Sequence, residues 1–225
     1  HTYLPYSSGD LRRYLTHTPD EYRCHILALV LLMLRDGELR GLRWTDLDEN
    51  RKVCHIRQQQ SRKHGMGTAK TASSEAALPV PDVLLDALNE HRKQQATMRL
   101  KKGKAWQDHG LIFATSKGTA LPHNWFCKLV NGMSLNERIA KRAGVRRVSE
   151  HTLRKSGSTI LETELVTPRE VVGAALRHSG QSTTDVYVRY NAESLRPYIE
   201  KLAALVTDGL PTTCPQTGLI LATSG

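Results

Sequence analysis

Six polar side chains in this chain have the chemistry needed to hold and cut a phosphodiester. Two arginines, a lysine and two histidines could surround one phosphate, and a tyrosine hydroxyl could attack its phosphorus. The six residues are Arg35, Lys70, His151, Arg154, His178 and Tyr187. Together they predict cutting and rejoining of DNA without a metal ion or ATP.

The two arginines are candidates for stabilising the charge that develops on the phosphate during attack. A guanidinium is permanently charged, and its donor fork matches two phosphate oxygens. Most single arginines are only solvated surface charges. Arg35, however, directly follows the apolar run of residues 26–34, so we expect it to emerge at the end of a buried helix.

Tyr187 is the predicted nucleophile, and Tyr190, three residues later, is its competitor. A free tyrosine hydroxyl has a pKa of ~10, so neighbouring guanidinium and imidazole groups must help it lose its proton. Attack would give a 3′-phosphotyrosine ester that keeps the energy of the broken bond. On the residues alone, a packed aromatic remains the commoner role for such a tyrosine.

The other three candidates can transfer protons. His151 lies three residues before Arg154, which places both on one face of a helix. His178 closes a predicted helical segment. Lys70 lies in a polar connection between two predicted strands and could protonate the leaving 5′ oxygen, with Lys63 as the alternative.

Two further patterns suggest chemistry that their context does not support. Residues 65–71 look like part of a phosphate-binding loop, but Ala69 replaces the glycine before the lysine, and the flanking strand and helix are not evident. The ten histidines form no HxxxH or HExxH pair with a suitable third ligand. We therefore predict neither a metal ion nor another cofactor.

The composition favours a polyanionic partner, with nucleic acid ahead of an anionic membrane surface. The 225 residues include 32 Lys and Arg against 22 Asp and Glu, a formal charge of +10. Four scattered cysteines form no CxxC pair, which argues against a disulfide framework and fits a reducing cytoplasm. No apolar run approaches the roughly 20 residues of a membrane span.

The elements that position these residues are predicted to be mainly helices with a small sheet, an α+β class. Capping signals at Thr18 and Thr167 predict two helix starts, and residues 53–57 and 76–80 are predicted strands. Further helices are predicted over residues 37–44, 81–95, 121–143 with a break at Gly132, 151–165, 168–177 and 192–206.

Four motifs, in order along the chain, resemble those of the tyrosine recombinase (phage integrase) family. They are Arg35-Asp36-Gly37-Glu38-Leu39, Lys70-Thr71 leading to Leu78-Pro79-Val80, His151-Thr152-Leu153-Arg154, and Leu176-Arg177-His178-Ser179 with Tyr187 nine residues after the histidine. Each motif alone is weak, but the ordered set is specific. The resemblance covers roughly residues 10–205 and implies the family's catalytic-domain fold, mainly helical with a small antiparallel sheet.

The resemblance implies a role for each candidate. Arg35, Arg154 and His178 would contact the scissile phosphate, and His151 would accept a proton or a hydrogen bond. Lys70 would be the general acid. The nucleophile would be Tyr187 rather than Tyr190.

Three residues depart from the family pattern. Met33 and Arg177 stand where glycine is usual, and Lys155 stands where histidine is frequent. None of these changes removes a catalytic group, so activity is expected. At Arg177 the loss of glycine could change the helix end, and the added charge could contact DNA.

The resemblance also implies an organisation and partners. The catalytic domain would span residues 1–206, and a tail of residues 207–225 would be exchanged between protomers. The family's N-terminal core-binding domain is not evident, and a start at His1 suggests a fragment. The partner would be double-stranded DNA, on which four protomers assemble, while the free protein would be a monomer or weak oligomer.

The predicted function is site-specific recombination that integrates or excises a mobile element, in the cytoplasm with the nucleoid. One alternative is a type IB topoisomerase, which uses a similar residue set. Another is a non-catalytic DNA-binding module, which the complete set of six groups argues against. A third is a structural protein whose basic face merely binds polyanions.

Overall fold

A computed structural model describes residues 4–61, 65–68, 76–130, 132–177 and 190–210. In these residues the chain is mainly helical with small antiparallel sheets, so the predicted α+β class is confirmed. The helices are α1 Ser8–Thr16, α2 Asp20–Leu31, α3 Asp36–Gly41, α4 Asp82–Lys102, α5 Leu135–Ala143, α6 Glu150–Thr163, α7 Arg169–Leu176 and α8 Ala192–Thr207. No helix in this part of the chain has the length and apolar character needed to cross a bilayer.

Helix α2 is the centre of the fold. Residues 24–31 are all buried, and α4, α6 and α8 pack around them. A helix that is apolar on every side belongs in a core rather than at a surface. Helix α2 ends at Leu31, before the apolar run ends at Leu34. Within the rest of the run, Met33 adopts a left-handed conformation with φ 43°. The chain therefore turns sharply just before Arg35.

The sheets are small and antiparallel. Strands β1 Leu47–Asp48, β2 Val53–Ile56 and β5 Ala76–Pro79 form one sheet in the order β1-β2-β5, with Val53 opposite Pro79 and Ile56 opposite Ala76. This confirms both predicted strands. Two hairpins complete the set: β3 Gln58–Ser61 with β4 Gly65–Thr68, and β6 Leu129–Val130 with β7 Met133–Ser134.

The structure differs from the predicted elements over residues 121–134 and at several helix ends. One or two helices were predicted within residues 121–143, but among the described residues there only α5 is helical, and β6 pairs with β7 where Gly132, with φ 78°, turns the chain.

Helix α1 was not predicted. The Thr18 hydroxyl donates a hydrogen bond to the carbonyl of Tyr14, in the last turn of α1, at 2.8 Å. Thr18 therefore cannot cap α2, and Pro19 is the N-cap instead. The predicted cap at Thr167 is also wrong, because α7 begins after Pro168 and the Thr167 hydroxyl is buried without a partner among the described residues.

Helices α2 and α6 are in close contact at Gly157. A Cβ built at this position would lie 2.3 Å from the Val30 carbonyl oxygen. We expect Gly157→Ala to lower the free energy of unfolding by about 1–3 kcal/mol through overpacking, although alanine has the higher helix propensity. The change is measured by urea denaturation.

Gly9→Ala is the matched control, because Gly9 is also helical and its Cβ would meet only Ser7 Oγ at 3.9 Å. This variant is expected to be at least as stable as the wild type. Equal stabilities for the two variants would show that the α2–α6 contact relaxes without cost.

Candidate active site

Arg35 is positioned by the start of α3. It is the N-cap of that helix, and its backbone N–H donates to Glu38 Oε2 at 2.8 Å. Its side-chain Nη1 donates to Glu38 Oε1 at 2.7 Å. With 47% of the side chain exposed, Arg35 is fixed by one carboxylate and remains open to solvent.

Arg154 reaches the same carboxylate from α6, but from inside the protein. Only 5% of its side chain is exposed, and Nη1 lies 3.8 Å from Glu38 Oε2. Nη1 donates to the Met33 carbonyl and Nη2 to the Leu176 carbonyl, the latter at 2.6 Å. The two arginines predicted to bind one phosphate are thus brought together, and Arg154 also joins the end of α2 to the end of α7.

Glu38 forms ion pairs with Arg35, Arg154 and Arg177, and these four residues make up the arginine cluster. Sequence reasoning missed the role of Glu38. Burial alone would raise the pKa of its carboxyl group, but the charge of Arg177 and the hydrogen bonds from Arg35 lower that pKa below its ordinary value. Glu38 is therefore ionised at neutral pH. Its position three residues after Arg35, in a capping box, was the available signal.

The cluster carries a net positive charge. Burial, Arg177 and Arg35 lower the pKa of the Arg154 guanidinium to about 10, while Glu38 opposes the shift. Arg154 therefore remains protonated at neutral pH. Three guanidinium charges against one carboxylate leave a net charge of +2, which suits an anion with several oxygens, such as a phosphodiester.

Arg177 is buried and its terminal donors go to protein acceptors, so the prediction that its charge contacts DNA is wrong. Only 4% of its side chain is exposed, and Nη2 donates to Glu38 Oε2 at 2.6 Å. Its backbone ends α7 in a left-handed conformation with φ 54°. Met33 adopts the same region with φ 43°. Both positions therefore have the backbone geometry that glycine adopts without strain.

His151 lies in the first turn of α6, three residues before Arg154. Both residues lie on α6, as their spacing predicted, and that they act from one face of it stays a prediction. The two side chains differ in environment, because His151 is exposed and Arg154 is buried. The exposed imidazole is open to a ligand, and its role in proton transfer stays a prediction.

Lys70, His178 and Tyr187 lie outside the described residues, as does the alternative Lys63. Their predicted roles are therefore carried forward as predictions. Tyr190, the competitor of Tyr187, is described, and it packs partly buried against the hydrophobic core. That environment fits a packed aromatic.

One group of potential metal ligands occurs among the residues that the structure describes: Cys24, His25 and His91. Cys24 Sγ lies 3.5 Å from His25 Nδ1, and the His25 ring is 4.5 Å from the Phe113 ring. Burial lowers the pKa of His25 and raises the pKa of the Cys24 thiol, so both are neutral at pH 7. These side chains pack an aromatic core and take no part in the arginine cluster.

Comparison with known sequences covers most of the chain. Residues 10–194 match the model of the phage integrase family. A tyrosine recombinase XerC-like protein of Caldanaerobacter subterraneus subsp. tengcongensis is 31% identical over 166 residues, 67% of this chain and 41% of that protein. An integrase of Streptomyces ambofaciens is 29% identical over 200 residues, 83% of this chain and 47% of that protein. The chain thus spans less than half the length of either relative.

Solved structures share the fold at low sequence identity. The Tn1549 transposon integrase in complex with a circular intermediate DNA superposes with a TM-score of 0.63 at 17% identity, covering 90% of this chain and 66% of that one. The XerA recombinase superposes with a TM-score of 0.61 at 17% identity, covering 89% of this chain and 65% of that one.

Proposed function

The chain belongs to the phage integrase family, and on this basis we propose that it cuts and rejoins DNA at specific sites through a 3′-phosphotyrosine intermediate. The observation that carries the proposal is the convergence of Arg35 and Arg154 on Glu38. The resulting site is positively charged, and Arg35 and Arg154, which form it, belong to the family motifs. The complete motif set in the sequence supplies the groups needed for attack and proton transfer.

The reaction proposed for this site is an in-line displacement at phosphorus. The hydroxyl oxygen of Tyr187 forms a bond to phosphorus, and its proton passes to His151 or to water. The bond from phosphorus to the 5′ oxygen breaks, and Lys70 protonates that oxygen. The ester formed has the same bond type as the one lost, so attack by a 5′ hydroxyl reverses the step.

The arginines are proposed to act mainly on the transition state. Charge builds on the two non-bridging oxygens during attack, and fixed donors stabilise it without reorganising. Glu38 keeps Arg35 in place before DNA arrives. His178 would be a further phosphate ligand in this scheme.

We propose double-stranded DNA as the partner and a mobile element as the biological context, with the protein acting on the chromosome in the cytoplasm. The Tn1549 integrase was solved with circular intermediate DNA and XerH with its difH substrate, which supports this partner class. Four protomers would assemble on the DNA. Residues 1–206 would form the catalytic domain, and residues 207–225 would be exchanged between protomers.

The proposal is tested by trapping the covalent intermediate. The protein is incubated with a library of nicked duplexes made from candidate element ends, and DNA linked to protein is recovered after denaturation and sequenced. We expect linkage through 3′ phosphates at a few discrete positions. A mobility shift without linked DNA would indicate a non-catalytic binding module. Linkage spread over all sequences, with relaxation of any supercoiled plasmid, would indicate a topoisomerase.

A further inference from the structure

We propose that Arg177 is a positioning residue for the phosphate-binding arginines. In this proposal it holds Glu38 and the end of α2 in the arrangement from which Arg35 and Arg154 reach the phosphate. The inference rests on the proposed function and deepens it, because it assigns a role to a residue that stands where the family usually has glycine.

All four terminal N–H groups of Arg177 are used by protein acceptors. Nη1 donates to the carbonyls of Leu32 at 3.1 Å and Ala175 at 3.0 Å. Nη2 donates to the Met33 carbonyl at 2.9 Å and to Glu38 Oε2 at 2.6 Å. A guanidinium has five donors, so only the buried Nε–H lacks a partner among the described residues. No terminal donor remains for DNA, and Arg177 must act through other groups.

These contacts join the elements that carry the site. The Leu32 and Met33 carbonyls lie at the end of α2, just before Arg35, and the Ala175 carbonyl lies in the last turn of α7. Cations are favoured at such helix ends, where carbonyls lack helical partners. The Met33 carbonyl also accepts from Arg154, so the positions of the two buried guanidiniums depend on each other.

Arg177 also favours the ionised form of Glu38. The charged groups around this carboxylate are Arg35 on α3, Arg154 on α6 and Arg177 at the end of α7. Arg177 is the largest favourable influence on the carboxylate and counteracts its burial. Without Arg177, the pKa of Glu38 would rise. A protonated Glu38 would then hold Arg35 less firmly.

The backbone conformation and the burial of Arg177 both cost free energy, which the contacts of its side chain must offset. A left-handed φ of 54° is strained for residues other than glycine. Burial of an arginine is also unfavourable unless the charge is paired. In the sequence, Arg177 directly precedes His178 and lies ten residues before Tyr187.

The test measures single-turnover cleavage of a nicked duplex that the wild type cuts, at saturating protein, as a function of pH. Arg177→Gly suits the left-handed backbone and should fold, which thermal unfolding checks. We expect its cleavage rate to fall by about tenfold or more while its DNA affinity stays close to that of the wild type. As the pH is lowered, Arg177→Gly should also lose cleavage at a higher pH than the wild type does, because the pKa of Glu38 is higher in the variant.

Four further variants separate positioning from general stability. Adding Arg177→Gly to Glu38→Gln should cost little beyond Glu38→Gln alone, since residues that act through one another are not additive. Arg177→Lys should recover the wild-type pH profile with an intermediate cleavage rate. If Arg177→Gly does not fold, the rate and pH profile of Arg177→Lys are the test of the inference. Arg169→Ala, on the same helix but with 91% of the side chain exposed, should resemble the wild type.

The outcomes distinguish this inference from the proposed function. If the wild type cleaves and folded Arg177→Gly cleaves equally well, with the same pH profile, the inference is wrong and the proposed function stands. Additive losses with an unchanged pH profile would mean that Arg177 only stabilises the fold, which also overturns the inference. If the wild type links to no DNA at all, the proposed function fails and the inference fails with it.

Discussion

Tyr187→Phe is expected to abolish the covalent protein–DNA adduct, whereas Tyr190→Phe should retain it. Phenylalanine keeps the ring but has no oxygen to bond to phosphorus, so the loss should be complete rather than partial. DNA binding should be nearly unchanged, because the substitution removes no positive charge. Both variants are compared with the wild type on the same nicked duplex, by denaturing gel and by a mobility shift.

The pair of tyrosine variants also tests the assignment of the nucleophile. Tyr190 packs partly buried against the core, so Tyr190→Phe could lower stability, and its melting temperature is measured alongside cleavage. An adduct that survives in Tyr187→Phe but disappears in folded Tyr190→Phe would contradict the assignment.

Arg154→Ala is expected to slow cleavage by about 10²–10³-fold, or roughly 3–4 kcal/mol, the usual worth of one donor to transition-state charge. DNA binding should fall much less, because one phosphate contact is only part of a salt-dependent total. Cleavage is measured under single-turnover conditions and binding by titration at fixed salt. Equal losses in both would contradict the role.

The structure adds a stability effect to this prediction. Arg154 is buried and donates to the Met33 and Leu176 carbonyls. Its removal takes this donor from the Leu176 carbonyl and leaves Met33 with Arg177 alone, so the melting temperature should fall. Arg154→Lys keeps a positive charge but loses the two-pronged geometry, and we expect it to stay defective in cleavage. Lys155→Ala, at the next, exposed position, is the control and should cleave close to the wild-type rate.

Local patterns in the sequence were sufficient for several features of the fold. The apolar run of residues 26–34 predicted the core helix. Arg35, expected at the end of that helix, is instead the N-cap of α3, because α2 ends at Leu31. The strands β2 and β5 and the helix that carries both His151 and Arg154 were also predicted nearly in place. These features depend on residues close together in sequence, whose spacing directly reflects strand or helix geometry.

Helix ends were harder to predict, because the competing partners lie outside the capping pattern. The Thr18 hydroxyl could cap α2 or bond back to α1, and only the packing of α1 shows that the Tyr14 carbonyl takes it. The end of α4 was missed for a different reason. The helix continues to Lys102, beyond the predicted end at residue 95. Its second half is exposed and rich in strong helix formers, but it has no apolar stripe from which a helix could be predicted.

The sequence by itself determined the family, the mainly helical class and the chemical identity of the candidate site, because these depend on residue types and their order. The tertiary structure decided how charges pair within that site. It showed that Glu38 pairs with Arg35, Arg154 and Arg177, and that the Arg177 side chain is buried rather than exposed to solvent. Such pairing joins residues that lie far apart in the chain, and a buried charge is stable only when the whole fold supplies its partners.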